Sequence, residues 1–310
     1  MVASTVVGLV AAALTGCAPG PPAQPPSAAP QQPRVSAAEP TPTNTPDLTV
    51  PGAAGAAIEE LVAAAGSSDV LMISAKRREV TVSVLVDKQV ETWSFRRGEP
   101  QQVETDLAYV DQATFDRTDW EFSDLGALFR AAAAVSGSSS GQELQIVDAS
   151  GGEVRMSVST NPESRTVFFE PDGTLTPTLD LTSGWGLAQA YREITANQAR
   201  ATTAVFSNTM VYLEHPGDEA DTTLRRTRTS WVPVTVTSRP GKPTNPEFAL
   251  PRDLPQRVWQ VVSRRHARGD FELDQPWECT VRKGSEGVTM RFTIGSESFT
   301  TDLDGRELNA

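Results

Sequence analysis

The chain has 310 residues, with 39 acidic side chains against 27 basic ones and a formal charge of -12 at neutral pH. That balance repels nucleic-acid phosphates, and no basic stripe interleaved with aromatics offsets it, so nucleic acid is not an expected partner. Two cysteines, Cys17 and Cys279, are too few to staple a small domain, so the fold must rest on buried apolar area.

An apolar stretch from Val2 to Leu14 opens the chain and ends in Leu14-Thr15-Gly16-Cys17. It is shorter than the roughly 20 residues a spanning helix needs, and its length and small-residue end suit a cleavable secretory signal over residues 1–16. No Lys or Arg precedes it, so either the signal is atypical or a basic segment lies upstream of the given start, the second being the expectation. Residues 18–51 hold 11 prolines, with Ala, Gln, Ser and Thr filling most of the rest. Such a segment has too little aliphatic content to bury a core, so residues 17–55 are expected to form an extended tether.

Beyond the tether, helical spacing appears four times. Ile58, Leu61, Val62 and Ala65 fall at i, i+3, i+4 and i+7; so do Leu125, Leu128, Phe129 and Ala132, and then Leu187, Ala190, Tyr191 and Ile194. Val258, Val261 and Val262 make a poorer fourth copy in which Arg265 takes the last place. Strand-like runs follow each helix: Val80-Val82-Val84-Val86 after the first, Val154-Met156-Val158 after the second, Val232-Val234-Val236 after the third and Val288-Met290-Phe292-Ile294 after the fourth. Their apolar/polar alternation is that of antiparallel sheets with one face buried. The expected fold class is therefore α+β, with four tandem helix-plus-three-strand units paired into two antiparallel-sheet domains, residues 56–182 and 183–310, and helices packed on one face. Cys279 lies in the strand-like run Trp277–Val281 and is expected to be a small buried residue.

Candidate chemistry is sparse. Gly137-Ser138-Ser139-Ser140-Gly141 matches a nucleophile-elbow pattern, but a helix precedes it and a strand follows, the reverse of the context an elbow requires. His215 stands in a turn, and His266 closes the last helix among Arg264, Arg265 and Arg268, where cations complement the helix dipole. Asp116, Asp119, Glu121 and Asp124 lead into the second helix but lack the glycine and terminal glutamate of an EF-hand loop. No catalytic residue, metal site or cofactor is expected, and the chain is read as not an enzyme. Of the six tryptophans, Trp120 and Trp185 flank predicted helices and are the candidate binding residues.

The short apolar segment followed by Leu14-Thr15-Gly16-Cys17 resembles the lipobox of bacterial lipoproteins, and the Ala-rich, Lys-poor composition suggests an actinobacterial one. The resemblance implies cleavage before Cys17, a diacylglyceryl group on its sulfur, and a lipid-anchored position on the extracytoplasmic face of the cell membrane. The tandem helix-and-strand units resemble the PepSY-like and beta-lactamase-inhibitor-protein-like modules of secreted proteins. Together these imply a membrane-anchored, non-catalytic envelope lipoprotein that binds a protein or another envelope component. The alternative is a lipid or apolar-ligand carrier, similar to mycobacterial lipid-carrier lipoproteins, with a cavity lined by residues such as Val82, Val84, Met156 and Phe292.

Overall fold

A computed structural model of the protein describes residues 46–308, apart from Arg97, Ser150, Glu163, Ser164 and Asn197. The predicted signal segment and most of the predicted tether lie outside the described residues. All four predicted helices form, as α1 (Ala53–Ala65), α2 (Leu125–Ser136), α3 (Gly184–Ile194) and α4 (Leu254–Ala267). Their ends are set by local chemistry. Asp124 accepts a hydrogen bond from Ala127 N at 2.7 Å to start α2, and Ser183 accepts from Gly186 N at 3.1 Å to start α3. Gly66 and Gly137 stop α1 and α2 at left-handed φ values of 68° and 76°, conformations that cost glycine nothing.

The strands of the first half are β1 (Val70–Lys76), β2 (Glu79–Val86), β3 (Gln89–Arg96), β4 (Glu99–Val103), β5 (Glu143–Asp148), β6 (Val154–Ser159) and β7 (Val167–Phe169). They form one antiparallel sheet in the order β4-β3-β2-β1-β5-β6-β7. The second half repeats the plan with β9 (Thr203–Ser207), β10 (Met210–Pro216), β11 (Thr222–Thr229), β12 (Thr235–Pro240), β14 (Trp277–Gly284), β15 (Gly287–Ile294) and β16 (Glu297–Thr301), in the order β12-β11-β10-β9-β14-β15-β16. A two-stranded ribbon of β8 (Arg200–Ala201) and β13 (Phe248–Ala249) stands beside it. In each sheet two meanders meet through their first strands, β1 against β5 and β9 against β14. The protein is thus α+β, with two large antiparallel sheets and helices packed alongside.

The unit count differs from the expectation in two places. The first and third units each carry a fourth strand, β4 and β12, so each sheet has seven strands rather than six. The predicted strand Val232–Val236 begins only at Thr235, because Arg228 Nη1 donates to the Val232 carbonyl at 2.7 Å and takes the backbone group a strand neighbour would use.

Each sheet buries one face. Val80, Val82, Val84, Ile73, Ile146 and Met156 meet Ile58, Leu61, Leu125 and Leu128 in the first core. In the second core Phe206, Val211, Leu213, Cys279, Met290 and Phe292 meet Leu187, Ala190, Val258 and Val262. Cys279 is fully enclosed, as expected, and burial pushes its thiol well above the ordinary range. The residues expected to line a lipid cavity, Val82, Val84, Met156 and Phe292, are all fully buried in these two packed cores.

Polar contacts join the halves. Leu179 N donates to Ser230 O at 2.9 Å, Arg155 Nη2 to Val234 O at 2.6 Å, and Glu153 lies 3.0 Å from Arg226. Arg228 is 0% exposed; its guanidinium contacts Glu193 at 2.6 Å and donates to the carbonyls of Thr229, Val232 and Pro177.

Candidate binding groove

An open groove of about 810 Å³ lies on the first half. One wall is the two-residue turn between β1 and β2, Arg77-Arg78, with Lys76 and Glu79 at its base. The opposite wall is the face of α2 that carries Phe129, Arg130 and Ala133, together with Ser139, Gly141 and Gln142 from the loop that follows. Gln142 Nε2 donates to Phe129 O at 2.7 Å and ties that loop to the helix. Gly141, at φ 54°, lets the loop lie against Asn161: a Cβ there would sit 2.7 Å from the Asn161 carbonyl oxygen.

Four cations and two carboxylates line the groove, a local excess of positive charge on an acidic chain. Their partners differ. Arg77 donates from Nε and Nη2 to Asp47 Oδ2 at 3.0 and 2.7 Å. That bond, with two more from Thr49, holds the Asp47 carboxyl well below its usual range, and Asp47 in turn raises Arg77. Lys76 lies 3.6 Å from Glu79 and 3.7 Å from Glu143. Burial works to raise the Glu143 carboxyl, but Ser74 Oγ at 2.7 Å, Gln145 and Lys76 together keep it below its ordinary value. Arg130 is 74% exposed and reaches Asp124 only at 3.9 Å. Arg78, on the other wall, has no hydrogen-bonding or ion-pair partner among the described residues.

The second half provides an internal comparison. Lys76 and Glu143 stand one step beyond the Ala75–Leu144 pair; the corresponding pair in the second sheet is Ser207 and Glu278. The turn after Ser207 is Asn208-Thr209, again two residues. Asn208 Nδ2 donates to Asp274 O at 3.1 Å and Gln275 O at 3.0 Å, stitching the turn to the loop that precedes β14. The first half has no such stitch, because Arg77 turns outward to Asp47 and Arg78 stays free. In one copy the turn is bonded to the loop before the neighbouring strand, and in the other it is not.

The predicted site residues fall elsewhere. Cys17 and the segment Leu14, Thr15 and Gly16 lie outside the described residues. Trp120 is half-buried against the first core, edge-on to Phe115 with ring centres 6.0 Å apart. Trp185 is 65% exposed at the start of α3, in the other half, so the two are not brought together and neither lines the groove. Ser139 lines the groove on the connection between α2 and β5, while both histidines belong to the second half. His215 Nδ1 contacts Pro216 O at 2.8 Å, and His266 Nδ1 contacts Phe271 O at 3.0 Å. Asp116 and Glu121 accept backbone hydrogen bonds from Thr118 and Ser123, and Asp124 caps α2; these acids serve turns and a helix end. Among the described residues no group of three or more His, Cys, Asp or Glu side chains could hold a metal ion.

Sequence reasoning missed Arg77, Arg78 and Arg130. The available signal was the run Lys76-Arg77-Arg78, three successive cations in an acidic chain, and one arginine within the alanine-rich α2.

No family model matches the chain, and no curated protein matches it. Solved structures do. A Helicobacter pylori beta clamp in complex with 5-chloroisatin is 8% identical, with 82% of this chain and 61% of that one covered at a TM-score of 0.16. The DNA polymerase III subunit beta of Pseudomonas aeruginosa is 12% identical over 86% of this chain and 64% of that one, at 0.14. A DNA polymerase III beta subunit from Eubacterium rectale gives 8%, 78%, 57% and 0.17. The chain spans less than two thirds of the length of these structures, and at such TM-scores the likeness says nothing of what this chain binds.

None of the comparisons returns the expected resemblances. The chains matched are sliding clamps, not lipoproteins and not PepSY-like or beta-lactamase-inhibitor-protein-like modules. The expected membrane-anchored envelope function, its lipid-carrier alternative and the extracytoplasmic location rested on that resemblance and are withdrawn with it. Among the described residues no helix is long and apolar enough to cross a membrane, and the cores leave the carrier's cavity residues packed. The expected partners, a membrane and an envelope component with nucleic acid excluded, are corrected too. The total of -12 averages over the surface and hides a groove where cations outnumber carboxylates.

Proposed function

We propose that this is a non-catalytic binding protein whose recognition site is the groove between the β1–β2 turn and α2. Residues 56–182 would then be the binding domain and residues 183–310 its closed counterpart. The observation that carries the reading is the contrast between copies: the same topology is stitched shut by Asn208 in one half and left open, with an unpartnered Arg78, in the other. A volume of about 810 Å³ falls within the range of pre-formed ligand sites.

Selecting random dodecapeptides on the immobilised full-length protein tests it. Binders are expected whose affinity falls about tenfold or more when Ala133→Trp fills the groove, and which ignore Thr209→Trp on the closed turn. Binders indifferent to Ala133→Trp would place recognition elsewhere on the surface.

A further inference from the structure

We infer that the groove takes an extended polypeptide segment bearing acidic side chains, read by Arg78 from one wall and Arg130 from the other. The inference rests on the groove being the recognition site and adds the chemistry of its ligand.

The charges decide between ligands. Lys76 and Arg77 are spent on Glu79, Glu143 and Asp47, and their placement is structural. Arg78 and Arg130 are not spent: the first has no partner among the described residues, and the second touches its nearest carboxylate only at 3.9 Å. A guanidinium presents a planar fork of donors that matches a carboxylate, so one unpaired guanidinium and one that is paired only at 3.9 Å, facing a common groove, select acidic groups. The remaining lining is uncharged: Gly126, Phe129, Ala133 and Gly141 lie beside the neutral polar side chains of Thr49, Ser139, Gln142 and Asn161. That surface accepts a main chain, whose amides can meet the polar side chains, and short neutral side chains between the charged contacts.

A polynucleotide fits less well. Glu79 and Glu143 also line the groove and would face a continuous phosphate backbone, whereas a peptide can place neutral residues beside them. Single-stranded nucleic acid is held by exposed aromatic platforms, and the one aromatic here, Phe129, is 6% exposed. A lone small anion would leave most of the volume empty.

The test is fluorescence anisotropy on the full chain with three labelled probes. One is a pool of dodecapeptides with Asp or Glu at alternate positions, the second is its Asn/Gln counterpart, and the third is a dodecamer of thymidylate. The acidic pool is expected to bind about tenfold or more tighter than the amide pool. The preference is expected to weaken with added salt and to be lost in the Arg78→Glu/Arg130→Glu variant. Both residues are exposed, so that variant keeps the wild-type melting temperature, measured alongside. Equal binding of both peptide pools, still blocked by Ala133→Trp, would overturn the acidic ligand and leave the groove standing. Peptide binding untouched by Ala133→Trp would remove the groove itself. Tighter binding of the thymidylate dodecamer would replace the peptide with nucleic acid, and no binding by any probe would overturn the inference.

Discussion

Arg228→Ala is expected to destabilise the protein by about 3–5 kcal/mol, the range for breaking a buried ion pair from one side. Arg228 lies on β11 with no exposed surface, 2.6 Å from Glu193 on α3. Its guanidinium also donates to Thr229 O, Val232 O and Pro177 O, and the last of these belongs to the connection between the two halves. Alanine removes all four contacts, leaves the Glu193 carboxylate without its cation and opens a void the size of a long side chain. In a chain of this size the loss lowers the melting temperature by on the order of 10 °C. The double change Arg228→Met/Glu193→Leu is expected to recover only part of it. It cancels the orphaned charge, but the three carbonyls still lack a donor. A melting shift of 2 °C or less for Arg228→Ala would show that this network is not what holds β11, α3 and the connection together.

Gly186→Ala is expected to cost about 2–3 kcal/mol, although alanine is the better helix former by about 1 kcal/mol. Gly186 lies in the first turn of α3, and an added Cβ would overlap the Asp180 carbonyl oxygen and lie 2.5 Å from its carbon. Both are backbone atoms, and Asp180 is held by its own turn: its carboxylate accepts from Thr182 N at 2.9 Å, and its carbonyl accepts from Ser183 Oγ at 2.8 Å. Neither the loop nor the cap can move without losing these bonds. Gly55→Ala in α1 is the matched control. Nothing lies within 4 Å of its Cβ position, so propensity alone acts and the change is expected to stabilise by up to about 1 kcal/mol. Chemical denaturation of both variants reads the difference. Equal effects of the same sign would refute the close packing of α3 on the Asp180 turn.

The regular parts of the fold were legible because burial imposes a period. Ile58, Leu61 and Val62 face a core at helical spacing, and Val80, Val82 and Val84 do so at strand spacing, and each set is where the alternation puts it. What was not legible breaks those periods. Glu99–Val103 has almost no apolar content, yet it forms β4, because pairing with β3 supplies what its side chains do not. Val232 reads as strand by its neighbours, but its carbonyl is taken by Arg228, an inward-facing arginine that strand patterning assigns to solvent. The groove was hidden for a different reason. Arg78 and Arg130 lie far apart in sequence on unlike elements, and only the β1–β5 pairing brings the turn opposite α2. Nothing in the chain marks Asn208 as a closing residue until its two carbonyl partners are seen.

The most direct measurement is site-specific photocrosslinking with benzoylphenylalanine placed at Ser139, in the open groove, or at Thr209, on the corresponding closed turn. With the acidic dodecapeptide pool, crosslinks from Ser139 that vanish on adding Arg78→Glu/Arg130→Glu, and none from Thr209, are the expected result. Crosslinks from Thr209, or from Ser139 regardless of those two arginines, would contradict the assignment of the open copy as the recognition site.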